Sequence, residues 1–290
     1  VLAGQKPVQT KTDAIIPTQT AYFLSFLLSD YKTFQNSYAN YLDERGIADQ
    51  RKLELQKAQK AIGTELTTFI DDFFENEASA LCIPSIDTVR AWDEVFIMRV
   101  KSGSIAFDKM RQLQQAAIEK QKAKPAEWTE IVKIDKETQY EALRFPVSNM
   151  PELLFGQSFK RFASAWFMQL DNFLLFAAEP EAFATLVKAN QRSETLGRNM
   201  DYVRFQSGLT TRNNVVFYCN METALNKANL LFKSTWAEEL LMTEEIKKFR
   251  FLSWQISASG DRLYNNACLQ FEPKKPIKQK TVWQIQADAP

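Results

Sequence analysis

The stretch from Phe155 to Phe271 constrains the fold most, because it reads as a hairpin, two helices, a strand, a helix and a second hairpin. In its last part, from Phe249 onward, apolar and polar residues alternate on both sides of the turn Ser259-Gly260-Asp261. Such alternation predicts strands with one buried face, and a short turn between two such runs predicts a hairpin. Hairpins join antiparallel strands, so this stretch favours an antiparallel sheet.

A first hairpin is predicted around Asp171-Asn172, which separates the apolar runs 159–167 and 173–178. Upstream, the aromatic-rich run 20–26 predicts a strand, followed by a helix over 31–46. Strand–helix units of this kind recur four times, with hairpins between them. We therefore predict an α+β fold with a largely antiparallel sheet and helices packed on one face.

The chain divides into three parts. Residues 1–12 are polar and aperiodic, which predicts a linker, and residues 13–272 form the predicted α+β domain. That domain is also open to division into two similar halves, about 13–139 and 140–272. Residues 273–290 combine a basic, proline-interrupted linker with an alternating run, which we interpret as the first strand of a following region. The linker lysines are interpreted as solvated, and not as a contact with anionic lipid: Lys274, Lys275, Lys278 and Lys280.

Charge and residue types argue against several classes of protein. The chain carries 36 Lys plus Arg against 35 Asp plus Glu and has no basic stripe, so a nucleic-acid binder is disfavoured. It has no histidine, the commonest general base and neutral metal ligand. Ser29 and Lys32 match S-x-x-K, but the companion motifs of that site are missing, and we attribute the match to chance. We predict no catalytic residue, no metal ligand and no cofactor.

The three cysteines each lie in an apolar run. Cys82, Cys219 and Cys268 fit small buried side chains better than a nucleophile, which would lack a histidine partner. An odd count also gives no disulfide framework. Whether any two of them approach one another stays open in the sequence.

Four carboxylates crowd into seven residues: Asp71, Asp72, Glu75 and Glu77. Calcium prefers oxygen ligands, but a calcium loop needs alternating acids and a glycine. We interpret this run as the solvated face of a phenylalanine-rich helix. A carboxylate-dependent hydrolase is kept as the least favoured alternative, because paired carboxylates meet in space and not in sequence.

The aromatic content also has two interpretations. The 22 Phe and 6 Trp either fill a core or line a pocket for an apolar ligand. Most of them lie at helical or alternating spacing, where a core needs them, so core packing is favoured. A binding module for an apolar or lipid-like ligand is the second hypothesis.

Several runs resemble elements of one bacterial family. The runs 166–183 and 195–220 resemble its strand followed by a helix, its next short helix and its following strand. The run 15–24 resembles its opening proline followed by an alanine-aromatic strand. Together they resemble the exported bacterial family numbered 3352 among the domains of unknown function, over about residues 13–272. The lysine-rich region 114–139 departs from the shorter members.

The resemblance implies a protein of the periplasm or cell envelope, attached to the membrane only through an N-terminal segment outside this chain. It also implies β-propeller repeats after the domain in some members, and the run 282–290 looks like the first strand of one. The family has no established catalytic residues, so none is carried over. We expect a non-enzymatic domain that binds an envelope protein or supports its own downstream propeller domain.

Overall fold

The computed structural model describes residues 1–85, 90, 92–226, 243–260 and 262–272. The strands are β1 Val8–Gln9, β2 Tyr22–Leu27, β3 Phe74–Pro84, β4 Trp92–Val100, β5 Thr129–Lys133, β6 Gln139–Arg144, β7 Trp166–Leu170, β8 Phe173–Ala177, β9 Arg212–Asn213, β10 Val215–Asn220, β11 Phe249–Ser259 and β12 Arg262–Phe271. The α-helices are α1 Tyr31–Glu44, α2 Ala48–Ile62, α3 Leu66–Asp71, α4 Gly103–Gln121, α5 Met150–Phe155, α6 Ala182–Gln191, α7 Met200–Gln206 and α8 Met221–Leu225.

Within the described part of the chain, ten strands form one sheet in the order β12-β11-β10-β2-β3-β4-β8-β7-β6-β5. Each neighbouring pair in this sheet is antiparallel, and β1 pairs separately with β9. The predicted α+β class and the antiparallel sheet are therefore confirmed. Both predicted hairpins are present, as β7–β8 and β11–β12, but the first arm of the former is Trp166–Leu170 and not the predicted run 159–167.

Helices cover both faces of the sheet, whereas we predicted one covered face. Helices α1 to α5 contribute to a core that contains Phe96 and Met98, and α6 and α7 contribute to a second core that contains Val95 and Ile97. Neighbouring residues of β4 thus point into different cores, as expected for a strand. The physical reason lies in the central strands, since continuous apolar runs are typical of strands buried on both faces.

Two groups of three strands repeat one order. In each group a strand is followed by a connection that contains helix and then by a hairpin: β2 with β3–β4, and β10 with β11–β12. The two groups meet side by side, because β2 pairs with β10. These groups lie within residues 22–100 and 215–271, and the division into two similar halves, about 13–139 and 140–272, stays a prediction.

The N-terminal residues 1–12 are packed against the domain and are not a free linker. Val8 and Gln9 pair with β9, and Thr12 is buried. The side chain of Asn214 donates a hydrogen bond to the carbonyl of Lys6 at 3.0 Å. The sequence signal was missed because polar backbone contacts hold this segment, and they leave no hydrophobic period.

Two other predictions meet the structure only in part. The region 114–139, predicted as a helix tail and connection, also contains the short strand β5. For the stretch after β10 we predicted a helix over 225–232; α8 ends at Leu225, the first residue of that range, and residues 227–232 lie outside the described residues. The predicted strand Val282–Gln286 and the linker lysines also lie outside them.

Among the described residues, no helix is both long enough and apolar enough to cross a membrane.

Candidate functional site

The carboxylate run does not form a single helix face. Asp71 is the last residue of α3, and β3 begins at Phe74, so Glu75 and Glu77 lie on a strand. The helix interpretation is therefore wrong for these two glutamates, because the helix ends before them. Glu75 forms an ion pair with Arg99 at 2.8 Å.

A second carboxylate of the run, that of Asp72, also has an ion-pair partner. Asp72 forms an exposed ion pair with Lys109 at 2.9 Å. In the part of the chain that the structure describes, no group of three or more cysteine, aspartate or glutamate side chains is arranged to hold a metal ion. The run thus offers neither a calcium loop nor a facing pair of free carboxylates.

Glu77 is the buried titratable group of this region. Its side chain is 0% exposed, and Oε2 accepts hydrogen bonds from the backbone N–H groups of Lys11 at 2.8 Å and Thr12 at 3.1 Å. Burial raises the pKa of Glu77 to about 7, although the two backbone N–H groups oppose the shift. A carboxyl group sealed from solvent cannot reach a substrate, so we assign it to holding the N-terminal segment on β3.

The cysteines are free thiols. Cys82 is buried as predicted, whereas Cys219 and Cys268 are half-buried. Burial raises the pKa of Cys82 and of Cys219 to about 12, which disfavours the nucleophilic thiolate. Cys219 and Leu269 are both register partners of Leu252, so Cys268 projects from the opposite face of the sheet and the two thiols do not face each other.

The aromatic rings fill the core. Phe155 alone contacts Phe34, Phe74, Phe96 and Phe159 at ring-centroid distances of 5.6–6.4 Å. This packing accounts for the aromatic content that suggested an apolar ligand pocket. An open cleft of about 340 Å³ between β5 and α6 is lined by apolar and charged residues, and one of about 590 Å³ near Asp13 is mainly polar.

The outer edge of the sheet at β12 is the candidate site. β12 pairs with β11 from Arg262 to Phe271, and among the described residues no strand pairs with its other side. About half of the backbone N–H and C=O groups of an edge strand therefore point outward. A strand edge of this length is a ready surface for pairing with another chain.

The side chains of β12 add apolar surface to this edge. The exposed fractions are 57% for Leu263, 46% for Leu269 and 56% for Phe271. These side chains share one face, since they are an even number of residues apart. Trp254 on β11, 46% exposed, lies on the same face because its register partner is Ala267. Edge and face together form the β12 surface, which we define as Trp254 and Leu263–Phe271.

The sequence contained part of this signal. The alternation from Phe249 to Phe271 predicted the hairpin correctly, and it also suggested that one face would be buried. Instead, the residues of that face in β12 are exposed. Between Leu263 and Phe271 the sequence has no charged residue or proline, the residues that commonly protect strand edges, so its composition did not distinguish this edge strand from a buried one.

Comparison with protein-family models, with curated proteins and with solved structures found no match to this chain. The resemblance to the exported family numbered 3352 therefore stays a prediction.

Proposed function

We propose that this domain is a non-catalytic interaction module of the bacterial cell envelope, which binds a partner protein by adding the partner's strand to β12. The observation that carries the proposal is the outer β12 edge, with which no strand of the described residues pairs, together with its exposed apolar face. Its place in the envelope rests on the family resemblance alone.

Strand addition suits the chemistry of this surface. The outward backbone groups of β12 supply main-chain hydrogen bonds, and side chains at alternate positions supply selectivity. Leu269 and Phe271 lose apolar surface to a partner that covers them, at roughly 25 cal/mol per Å². The β12 surface contains no charged side chain, so a partner is recognised by shape and backbone pairing more than by charge.

The buried polar groups support a non-catalytic role. Glu77 accepts hydrogen bonds from the N-terminal segment, and the hydroxyl groups of Ser25 and Ser79 lie 2.6 Å apart between β2 and β3. Asn214 joins β10 to its surroundings by accepting from Ala258 N–H at 2.8 Å and donating to the Leu27 carbonyl at 3.2 Å. Each of these groups has a structural task inside the domain.

The test is in-cell cross-linking of the full-length protein, followed by affinity purification and mass spectrometry. We compare the wild type with Leu269→Lys on β12 and with a matched control, Ile131→Lys on β5, since both residues are exposed apolar strand residues. We expect one reproducible partner with the wild type and the control, either another envelope protein or a second, differently tagged copy of this chain, and its loss with Leu269→Lys. Capture that is equal for all three proteins, or capture of background proteins only, contradicts the proposal.

A further inference from the structure

We infer that the strand bound by β12 is β12 of a second copy of this chain, paired antiparallel about Ala267, so that two sheets join into one. This inference rests on the proposed function, because it names the partner of the same surface. Such a pairing is isologous: each copy offers the same edge, and a two-fold axis relates them.

Charge favours self-pairing at this edge. In an antiparallel pair of identical strands, a charged residue at or next to the two-fold axis would face or neighbour the same charge on the other copy, which is destabilising. The nine residues from Leu263 to Phe271 carry no charge, so two copies meet without repulsion.

The register about Ala267 uses the whole uncharged run. It places Ala267 opposite its own copy, Leu263 opposite Phe271 and Asn265 opposite Leu269, so every residue of the run is paired. Leu263 and Phe271, the two most exposed apolar residues of β12, then meet across the interface twice. An aromatic ring beside an aliphatic side chain is a favourable cross-strand pair.

Trp254 fits the same register. Its partner on β12 is Ala267, whose methyl group leaves space above the strand. Pairing about Ala267 places the two copies of Ala267 side by side at the centre of the interface. The Trp254 of one copy lies on one side of this alanine pair, and the Trp254 of the other copy lies on the opposite side. Since neighbouring strands lie about 4.8 Å apart, the two indoles flank a strip roughly 14 Å wide, and both can lean over the alanines and lose their exposure.

The assembly closes at two copies. After β12 is paired with itself, the other edge of the ten-stranded sheet, among the described residues, is β5. β5 has only five residues, Thr129–Lys133, and its exposed Glu130 and Lys133 suit a protected edge. Growth of the sheet beyond a dimer is therefore disfavoured.

The first test is sedimentation velocity on the purified chain over a range of concentrations. A single strand pair is a small interface, so we expect a dissociation constant of roughly 1–100 μM. Ala267→Lys places two like charges face to face and should weaken the dimer at least about tenfold, whereas Ile131→Lys on β5 should leave it unchanged. Circular dichroism checks that both variants are folded. A wild type that stays monomeric at about 200 μM overturns the inference.

The second test reads the register by disulfide trapping in a Cys268→Ser background. In the proposed register Ala267→Cys faces its own copy, whereas two Asn265→Cys residues are separated by four residue steps, about 14 Å along the strand. We expect oxidation to link Ala267→Cys into a dimer and to leave Asn265→Cys unlinked, because a disulfide needs Cβ atoms about 4 Å apart. Equal linking of both, or linking of Asn265→Cys alone, contradicts this register.

The outcomes separate the inference from the proposed function. A monomeric chain whose β12 surface still captures a different envelope protein overturns self-pairing and leaves the interaction module standing. A dimer in sedimentation, with no foreign protein captured in cells, supports self-pairing and rejects a heterologous partner. A monomer with no partner rejects both.

Discussion

β8 and β12 belong to one sheet and are both rich in apolar residues, yet their surroundings are opposite. Every residue of β8, Phe173–Ala177, is buried, because the helical layers cover both of its faces. On β12 each odd-numbered residue from Leu263 to Phe271 is exposed. Leu263, Leu269 and Phe271 are nevertheless the same residue types, leucine and phenylalanine, that fill most of β8. Apolar side chains are therefore placed in two ways in this sheet: in the centre they are buried and stabilise the fold, and at the edge they are exposed, where we propose that they form a surface for association.

Phe176 and Phe271 test this difference most strongly. Phe176 is fully buried on β8 and contacts the rings of Phe96, Phe145 and Phe167, whereas Phe271 is half-exposed on β12. Phe176→Ala should lower the free energy of unfolding by about 3–5 kcal/mol, because it leaves a cavity in the core. Phe271→Ala should lower it by less than about 1 kcal/mol. Urea unfolding at low protein concentration measures both, and similar losses would show that β12 is part of the core.

Glu77 sharpens the comparison through pH. Its folded pKa of about 7 lies above the ordinary value of 4.5, so the folded state binds the proton more tightly than the unfolded chain. The resulting stability is fully present below pH 4.5 and is lost as the pH rises through 7. Ionisation of this group should cost the folded state roughly 2–3 kcal/mol between pH 5 and pH 8.

Glu77→Gln keeps an oxygen acceptor for the backbone N–H groups of Lys11 and Thr12 but cannot ionise. We expect its free energy of unfolding to vary less between pH 5 and pH 8 than that of the wild type, and to exceed it at pH 8. The matched control is Glu130→Gln on β5, which removes an exposed carboxylate and should follow the wild-type profile. A Glu77→Gln profile parallel to the wild type would assign the pH dependence to other groups.

The sequence predicted local patterns better than their surroundings. The helix predicted over 31–46, observed as Tyr31–Glu44, was found from its apolar spacing and from Gly46 at its end. The structure adds an N-terminal cap, since the Asp30 carboxylate accepts from the N–H of Thr33 at 2.7 Å. The hairpin β11–β12 was found because alternation and a glycine turn agree. Alternation cannot say whether the apolar face is covered, since covering depends on elements distant in sequence.

The N-terminal segment and Glu77 show a second limit. The contact between Glu77 and Lys11 spans 66 positions, and neither residue lies in a motif that indicates burial. Because Glu77 lies close in sequence to Asp71 and Asp72, we predicted that its carboxylate would lie on a solvated face. The burial of such a carboxylate can be recognised only from the fold, which shows the backbone N–H donors that hydrogen-bond to it.

The smallest expected effect concerns concentration. Because a dimer stabilises the folded state by mass action, the melting temperature of the wild type should rise with protein concentration. Leu263→Ser on β12 should remove most of this dependence, since Leu263 meets Phe271 of the second copy in the proposed register. Ile131→Ser on β5 should keep it.

At low concentration, both variants should match the wild-type free energy of unfolding within about 0.5 kcal/mol, because both side chains are exposed in the single chain. Thermal unfolding over a hundredfold range of concentration separates the two edges, since only a surface used for association links melting temperature to concentration. If the melting temperature of the wild type does not change over that range, β12 and β5 are equivalent as sheet edges and self-pairing through β12 is contradicted. The difference between β8 and β12 would then be only that burial of β8 stabilises the fold.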